Sequence, residues 1–310
     1  MARVKAGTLV ILGLLFCLSV VLYVQLTTAP IAPLQPISMP PQVSLLTDPF
    51  LQAPTESSVK VVWFTEFKGT DHRVIYGPAQ QTVTATTREL SRTREDAQSK
   101  TAQAYDQVTK RPIWRHEAEI SGLRPGLRLP YVVVSTPPTG NPIRSDQFTL
   151  GPTPPAGQPL QILLTSDHQL MPMTAANLQK VQETIGQVDS VFLAGDLVNI
   201  PDRASEWFDD ARGGAFFPCL QGRGSYILEK NGTRTRYKGG QLIQSAPLFT
   251  AVGNHEVMGR DSTTAGLNDQ FNDPVPWAAA KTLYDPHKNA FNPTNAPDVE
   301  QRWLKNQSFN

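Results

Sequence analysis

The sequence is poor in cysteine and histidine. Its 310 residues include two cysteines, Cys17 and Cys219, and Cys17 lies in an apolar N-terminal run. This excludes a disulfide framework and a cysteine-ligated zinc site. A bound metal ion must therefore be held by oxygen atoms and imidazole groups, and the chain has only five histidines to supply the latter.

The chain also lacks an excess of charge of either sign. Lys and Arg number 28, Asp and Glu number 27, and the formal net charge is +1. Charge therefore gives no reason to expect nucleic acid as a partner. Hydrophobic residues make up 40% of the chain, enough to build cores, and the length allows about two domains.

Charged residues are absent from one long stretch near the N-terminus. Arg3 and Lys5 precede an uncharged, mostly apolar run from about Ala6 to Leu26, which is long enough to cross a bilayer as a helix. We expect residues 1–29 to form an uncleaved signal anchor with its N-terminus in the cytoplasm. The rest of the chain would then be displayed outside the cytoplasm. A cleaved signal peptide is the alternative, and it predicts a secreted or periplasmic protein.

Two proline-rich stretches divide the remaining chain. Residues 30–41 (PIAPLQPISMPP) and 151–159 (GPTPPAGQP) predict linkers. Between them, at 42–150, short β-branched and aromatic runs alternate with turn residues and show no helical period. That pattern predicts an all-β sandwich. We expect the polar stretch at 88–110, which contains the charge run RTREDAQSK, to be a mobile, solvated loop.

The periodicity changes after residue 160. Three compact apolar runs, LQILLTS, SVFLAG and LFTAVG, predict buried strands. The stretch TAANLQKVQETIGQV has apolar residues at helical spacing, and ASEWFDDA predicts a short helix whose Trp207 and Phe208 pack in the core. Strands that alternate with helices indicate crossover connections and a largely parallel sheet in a domain at 160–310.

Each of these three strands ends in a polar cluster. The clusters are Asp167-His168-Gln169, Gly195-Asp196 with Asn199, and Gly253-Asn254-His255-Glu256. Ligands of open α/β sheets bind beyond the carboxyl ends of the strands, so we expect these side chains to meet in one pocket. Crowded carboxylates repel one another unless a cation lies between them. Oxygen and imidazole ligands suit manganese, iron, zinc or magnesium.

The three motifs, in this order and each after a buried strand, resemble those of the calcineurin-like metallophosphoesterase superfamily. The sandwich that precedes them is similar to the N-terminal fibronectin type III-like domain of purple acid phosphatases. The resemblance implies a fibronectin-like sandwich at 42–150. It also implies an α/β metallophosphoesterase domain at 160–310, built as a β-sandwich flanked by helices.

The resemblance also implies roles for individual residues. Asp167 and Gln169 would hold a first metal ion, Asp196 would bridge it to a second one, and Asn254 would hold the second through its amide oxygen. His255 would stabilise the phosphoryl group in the transition state and protonate the leaving group, so His255 and Asp196 are the expected catalytic residues. The two metal ions would clamp the phosphoryl group and generate hydroxide.

Two neighbouring positions have a supporting or undecided role. We expect Asn199 to be a hydrogen-bonding residue behind the ligands, and His168 to be structural or to support the ligands. Purple acid phosphatases have a metal-binding tyrosine at the position of Asn199 and a glycine at that of Gln169. These departures predict a colourless enzyme and leave the identity of the metals open.

A third departure concerns the region after the last motif. The family has three further histidines there, two of them in a G-H-x-H segment, whereas only His287 follows His255 in this chain. The phosphoesterase domain is therefore expected to be incomplete. We expect this sequence to be the N-terminal part of a longer protein, inactive on its own. A truncated, inactive protein is the alternative.

The predicted function is hydrolysis of small phosphate monoesters or diesters by a two-metal site displayed outside the cytoplasm. The partners would be the substrate and, through the N-terminal helix, the membrane, with no nucleic acid. The alternative is a surface interaction protein whose phosphoesterase domain is degenerate and does not catalyse.

Overall fold

The computed structural model describes residues 44–91, 93–257, 284–285 and 290–291. The predicted membrane anchor at 1–29, the linker at 30–41 and His287 lie outside these residues. Within the described ranges, no helix is both long enough and apolar enough to cross a bilayer.

Most of the regular structure consists of β-strands. In chain order, strands β1 to β18 span Phe50–Gln52, Ser58–Thr65, Asp71–Tyr76, Gln81–Thr84, Thr86–Glu89, Arg94–Glu95, Thr109–Lys110, Trp114–Ser121, Leu129–Thr136, Ile143–Arg144, Phe148–Leu150, Ile162–Thr165, Ser190–Leu193, Tyr226–Lys230, Thr233–Tyr237, Leu248–Thr250, Tyr284–Asp285 and Ala290–Phe291. Helices α1, α2 and α3 span Thr174–Ile185, Ala204–Phe208 and Phe216–Leu220, and a 3₁₀ turn covers His255–Val257.

The first part of the chain forms two antiparallel sheets. One has the strand order β1-β2-β8-β5, and the other has the order β10-β9-β3-β4 with β11 also paired to β9. Apolar side chains of both sheets pack into a common core that includes Val61, Trp63 and Val133. The all-β character predicted for this region is thus present.

Strand β2 is buried on both of its faces, which explains why its sequence SVKVVWFT does not alternate with polar residues. Val59, Val61 and Trp63 face the core between the two sheets. Val62 and Phe64 point the other way, into a second core that the α/β part of the chain provides. All described strands up to β16 belong to one compact unit.

The second part contains the predicted parallel sheet, with strand order β12-β13-β16. Helix α1 lies between β12 and β13 in sequence and buries Leu178, while Ile185 near its end is 52% exposed. Trp207 and Phe208 of α2 are buried in the core, as predicted. The three strands and both predicted helices are therefore confirmed. The predicted burial of the first strand is wrong: β12 lies at the edge of the described sheet, and Ile162 and Leu164 are 50% and 72% exposed.

One face of this sheet is apolar and exposed among the described residues. Leu164 of β12 is 72% exposed and pairs in register with Phe192 of β13, which in turn pairs with Phe249 of β16. The two phenylalanine rings stack with their centroids 4.7 Å apart. The opposite face, with Val191 and Leu193, is buried in the core.

The polar stretch at 88–110 differs from its prediction as a solvated loop. Glu95 is fully buried and Asp96 is 5% exposed. Both carboxylates are paired with groups from the α/β part, which offsets the cost of removing them from water. We call residues 93–111, which include the small hairpin β6-β7, the arm of the sandwich.

Candidate functional site

The three predicted motifs lie at the carboxyl ends of β12, β13 and β16, which are neighbours in one parallel sheet. Two backbone hydrogen bonds join the first motif to the second. The Asp167 N–H donates to the Gly195 carbonyl at 3.2 Å, and the Gln169 N–H donates to the Leu197 carbonyl at 3.1 Å. Parallel pairing thus continues into the loops and places the motifs side by side.

Left-handed backbone conformations turn the polar side chains out of the strand direction. Asp167, Gln169 and Asp196 have φ angles of 55°, 34° and 54°. Residues other than glycine pay for this conformation, and such strain is concentrated at functional sites. Asp167 remains exposed, Asp196 is half-buried, and Gln169 is only 8% exposed.

The second and third motifs approach so closely that only glycine fits at the contact. A Cβ atom on Gly195 would lie 2.5 Å from the Gly253 nitrogen, and Gly195 has a φ of 86°. A Cβ atom on Gly253 would lie 2.1 Å from Oδ1 of Asp196. The glycine of each motif therefore makes room for the other motif, and Gly253 makes room for the Asp196 carboxylate.

His255 and Asp196 are in direct contact. The His255 N–H donates to Oδ1 of Asp196 at 3.0 Å. Nδ1 of the His255 ring lies 3.0 Å from the carbonyl oxygen of Asn199. Because a carbonyl oxygen can only accept, Nδ1 carries the proton, and Nε2 is the nitrogen left to exchange a proton with a ligand.

Asn199, in the second motif, is hydrogen-bonded to both the first motif and the third motif. Its side-chain Nδ2 donates to the Gln169 carbonyl at 2.7 Å, while its own carbonyl accepts from His255. The hydrogen-bonding role predicted for Asn199 agrees with these contacts. Whether it supports metal ligands stays a prediction.

Glu256 is the residue at this site whose importance the sequence did not reveal. It is 1% exposed, and its two oxygens accept the N–H groups of Asp196, Leu197 and Gly253 at 2.7–2.8 Å. Burial raises the pKa of Glu256, and the three N–H donors oppose that shift because they stabilise the carboxylate. The one signal in the sequence was its position directly after Gly253-Asn254-His255.

His168 is placed inside the protein. It is 5% exposed, its ring lies 6.1 Å from that of Phe216, and Nε2 is 3.5 Å from the Thr165 hydroxyl. Burial lowers the pKa of His168 to about 4, so the imidazole is neutral near pH 7. These contacts suit the structural role that was one of its two predicted roles.

The donor set at the strand ends has the right chemistry for a hard cation, but it is incomplete in the described residues. Asp167 and Asp196 offer carboxylate oxygens, and Gln169 and Asn254 offer amide oxygens. No group of three His, Cys, Asp or Glu side chains that could hold a metal ion occurs in the described ranges. The residues thus fit part of a metal site, and their assignment as ligands stays a prediction.

The sequence matches no protein-family model and no curated protein. Among solved structures, the chain is similar to a purple acid phosphatase from yellow lupin (Lupinus luteus) seeds, at 18% identity and a TM-score of 0.46, over 67% of this chain and 35% of that one. It is also similar to PhoD, at 11% identity and a TM-score of 0.37, over 71% of this chain and 40% of that one. The chain thus spans less than half the length of either protein.

Proposed function

We propose that this protein is a metal-dependent phosphoesterase with its site at the carboxyl ends of β12, β13 and β16. The observation that carries the proposal is the convergence of Asp167, Asp196 and His255 on three neighbouring strand ends. Hydrogen bonds and a glycine contact, which fix one loop against the next, hold these residues together. Strained backbone angles at two of the three add to this support.

The proposed ligands are the oxygen donors of the three motifs. Asp167 and Gln169 would hold one ion, Asp196 would bridge two ions, and Asn254 would hold the second. Bound metal ions of this kind stabilise the charge of a phosphoryl group and supply a nucleophile at neutral pH. The contact between Asp196 and the His255 N–H supports this arrangement, because it holds the carboxylate in one orientation.

His255 is the proposed proton donor to the leaving group. Its Nδ1–H donates a hydrogen bond to the Asn199 carbonyl. Nε2 can therefore receive a proton from solvent and deliver it to an alkoxide oxygen, as general acid catalysis requires. Small phosphate monoesters or diesters are the proposed substrates.

Display outside the cytoplasm belongs to the same proposal. Its support is the uncharged run that follows Arg3 and Lys5 at the N-terminus. A protease protection assay on intact cells, with a C-terminal epitope tag, tests this part separately. Degradation of the tagged protein from outside is expected, and its full protection in intact cells with degradation after lysis would contradict the proposed topology.

The experiment for the activity measures metal binding first and turnover second. Calorimetric titration of the full-length native protein with Mn²⁺ is expected to show binding that Asp196→Asn weakens at least about tenfold, since a metal-binding carboxylate is lost. Asp106→Asn, at an exposed carboxylate in the loop of the arm, is the matched control and should bind like the wild type. The same three proteins are then assayed for hydrolysis of p-nitrophenyl phosphate and bis(p-nitrophenyl) phosphate with Mn²⁺, Zn²⁺ or Mg²⁺. The wild type and Asp106→Asn should be active, and Asp196→Asn should have lost most of the activity.

A full-length native protein that binds none of these ions and hydrolyses neither ester would overturn the proposal. That result would favour the alternative, an interaction protein whose strand-end carboxylates have lost their catalytic use.

A further inference from the structure

A row of buried charges leads from the arm of the sandwich to the candidate site. It begins at Asp96, whose two carboxylate oxygens accept hydrogen bonds from Nη2 of Arg203 at 3.1 and 3.2 Å. Nη1 of Arg203 donates to Oε1 of Glu206 at 2.7 Å. All three residues are less than 9% exposed. One guanidinium thus bridges two carboxylates from different parts of the chain.

Glu206, which Arg203 holds in place, also binds the backbone beside the candidate site. Its second oxygen, Oε2, accepts the N–H of Asn199 at 2.8 Å and that of Ile200 at 3.0 Å. Asn199 is the residue that contacts His255 through its carbonyl and Gln169 through its side chain. The orientation of Glu206 therefore decides where both groups of Asn199 point.

Stability alone does not explain this arrangement. Desolvation of a buried ion pair cancels much of its attraction, and apolar side chains of similar volume often stabilise a fold at least as well. What a bidentate guanidinium adds is a defined geometry, because its donors fix the plane of each carboxylate. A second attachment lies beside the first one: Glu95 accepts both the N–H and the hydroxyl of Ser205 at 2.8 Å, at the start of α2.

We propose that the arm positions the candidate site, with Asp96, Arg203 and Glu206 as positioning residues that hold His255 in the form with its proton on Nδ1. None of the three is proposed to touch substrate or metal. The catalytic meaning of the inference rests on the proposed function, whereas the geometry it predicts does not.

The test reads the His255 ring directly. Nitrogen-15 spectra of the native protein at about pH 8, above the ordinary histidine pKa, distinguish a proton on Nδ1 from one on Nε2, and His255→Gln assigns the signals. The wild type is expected to show the Nδ1–H form. Asp96→Asn is expected to shift the equilibrium towards Nε2–H, because Arg203 and Glu206 lose their fixed orientation.

Asp210→Asn is the matched control. Asp210 is also a buried carboxylate paired with an arginine, Arg212 at 2.8 Å, but it has no hydrogen bond to Asn199. Its replacement should leave the His255 spectrum as in the wild type. A folded Asp96→Asn protein with an unchanged His255 spectrum would overturn the proposal.

A second variant covers the case in which Asp96→Asn does not fold. Arg203→Lys keeps the positive charge between the two carboxylates but removes the planar guanidinium whose nitrogens bind both of them. We expect the Ile200 amide to exchange its hydrogen about tenfold faster in this variant, since its hydrogen bond to a charged acceptor is weakened. Unchanged exchange at Ile200 in folded Arg203→Lys would overturn the proposal. Both readouts are independent of phosphate-ester hydrolysis, so an inactive protein can still confirm the positioning.

Discussion

Gly195 and Gly253 lie against each other at the ends of two neighbouring parallel strands. A Cβ atom on Gly195 would come within 2.5 Å of the Gly253 nitrogen and 2.7 Å of its Cα. Real Cβ atoms do not approach a backbone this closely, so neither glycine can be exchanged without moving a motif. The contact brings the Asp196 carboxylate next to the His255 N–H, and it has consequences that can be measured.

Gly253→Ala should disturb Asp196 specifically. The new methyl group would lie 2.1 Å from Oδ1 of Asp196, so the carboxylate or the loop has to move. Overpacking of this kind costs about 1–3 kcal/mol of stability. Amide resonances of Asp196 and His255 should shift in the NMR spectrum, and under the proposed function the affinity for Mn²⁺ should fall as well.

The control for this variant is Gly157→Ala. Gly157 has a φ of 80° and no atom within 4 Å of the added Cβ. It should cost about 1–2 kcal/mol through its backbone angle alone, with unchanged resonances at Asp196 and His255. Equal spectral effects of the two variants would contradict the glycine contact.

Glu256→Gln should destabilise the protein. The carboxylate accepts three backbone N–H groups, whereas an amide presents one oxygen and directs its NH₂ group at another donor. Hydrogen bonds to a charged group contribute about 1.5–3 kcal/mol each, so we expect a loss of about 2–3 kcal/mol in urea unfolding. Glu229→Gln, at an exposed position of β14, should change stability by less than about 0.5 kcal/mol. A Glu256→Gln protein as stable as the Glu229→Gln control would show that the three N–H contacts are dispensable.

Two buried histidines in the sandwich should make stability fall in acid, in addition to the buried His168 described above. The rings of His72 and His116 stack with centroids 3.7 Å apart, and hydroxyl groups of Ser135, Thr65 and Thr87 contact their nitrogens. Burial lowers the pKa of both, that of His116 to about 2, where nearby His72 and Arg115 act in the same direction.

The direction of this pH dependence follows from the number of protons that the folded and the unfolded chain bind. An unfolded histidine has a pKa of about 6.5, so the unfolded chain binds more protons than the folded one below that pH. The contribution of the pair is complete well above pH 6.5 and decreases as the pH falls through 6.5, for His116 down to about pH 2, by at most about 1.4 kcal/mol per pH unit for each histidine. Urea unfolding between pH 7.5 and 4.5 measures the slope. His116→Gln should flatten it relative to the wild type, and an unchanged slope in His116→Gln would argue against the buried pair as the cause.

Leu164 and Leu193 lie one residue apart in register on adjacent strands and should respond differently to truncation. Leu193 is 2% exposed in the core, so Leu193→Ala should cost about 2–5 kcal/mol. Leu164 is 72% exposed on the other face of the sheet, so Leu164→Ala should cost less than about 0.5 kcal/mol. Chemical denaturation of both variants compares them. A large loss for Leu164→Ala would mean that something covers this face in the native protein.

Local periodicity was sufficient to predict the elements that carry the site. The apolar runs ending at Thr165, Leu193 and Thr250 formed three parallel strands, and the spacing of Leu178 and Val181 formed a helix between the first two. These features depend on side chains that are close in sequence and share one face. The polar residues after each strand therefore met at one edge, as parallel strands require. Their assignment as metal ligands stays a prediction.

Contacts between distant residues decided the rest. The stretch 88–110 has the composition of a solvated loop, yet Asp96 pairs with Arg203 across 107 positions and Glu95 with Ser205 across 110. Glu256 carries no local sign that it will accept three N–H groups from two loops. Burial of a charge is favourable only when its partners are in place, and those partners come together only when the sandwich and the parallel sheet have packed against each other. The sequence alone determined where the strands end and which polar residues follow them, and the tertiary structure decided which charges are buried and what holds those strand ends together.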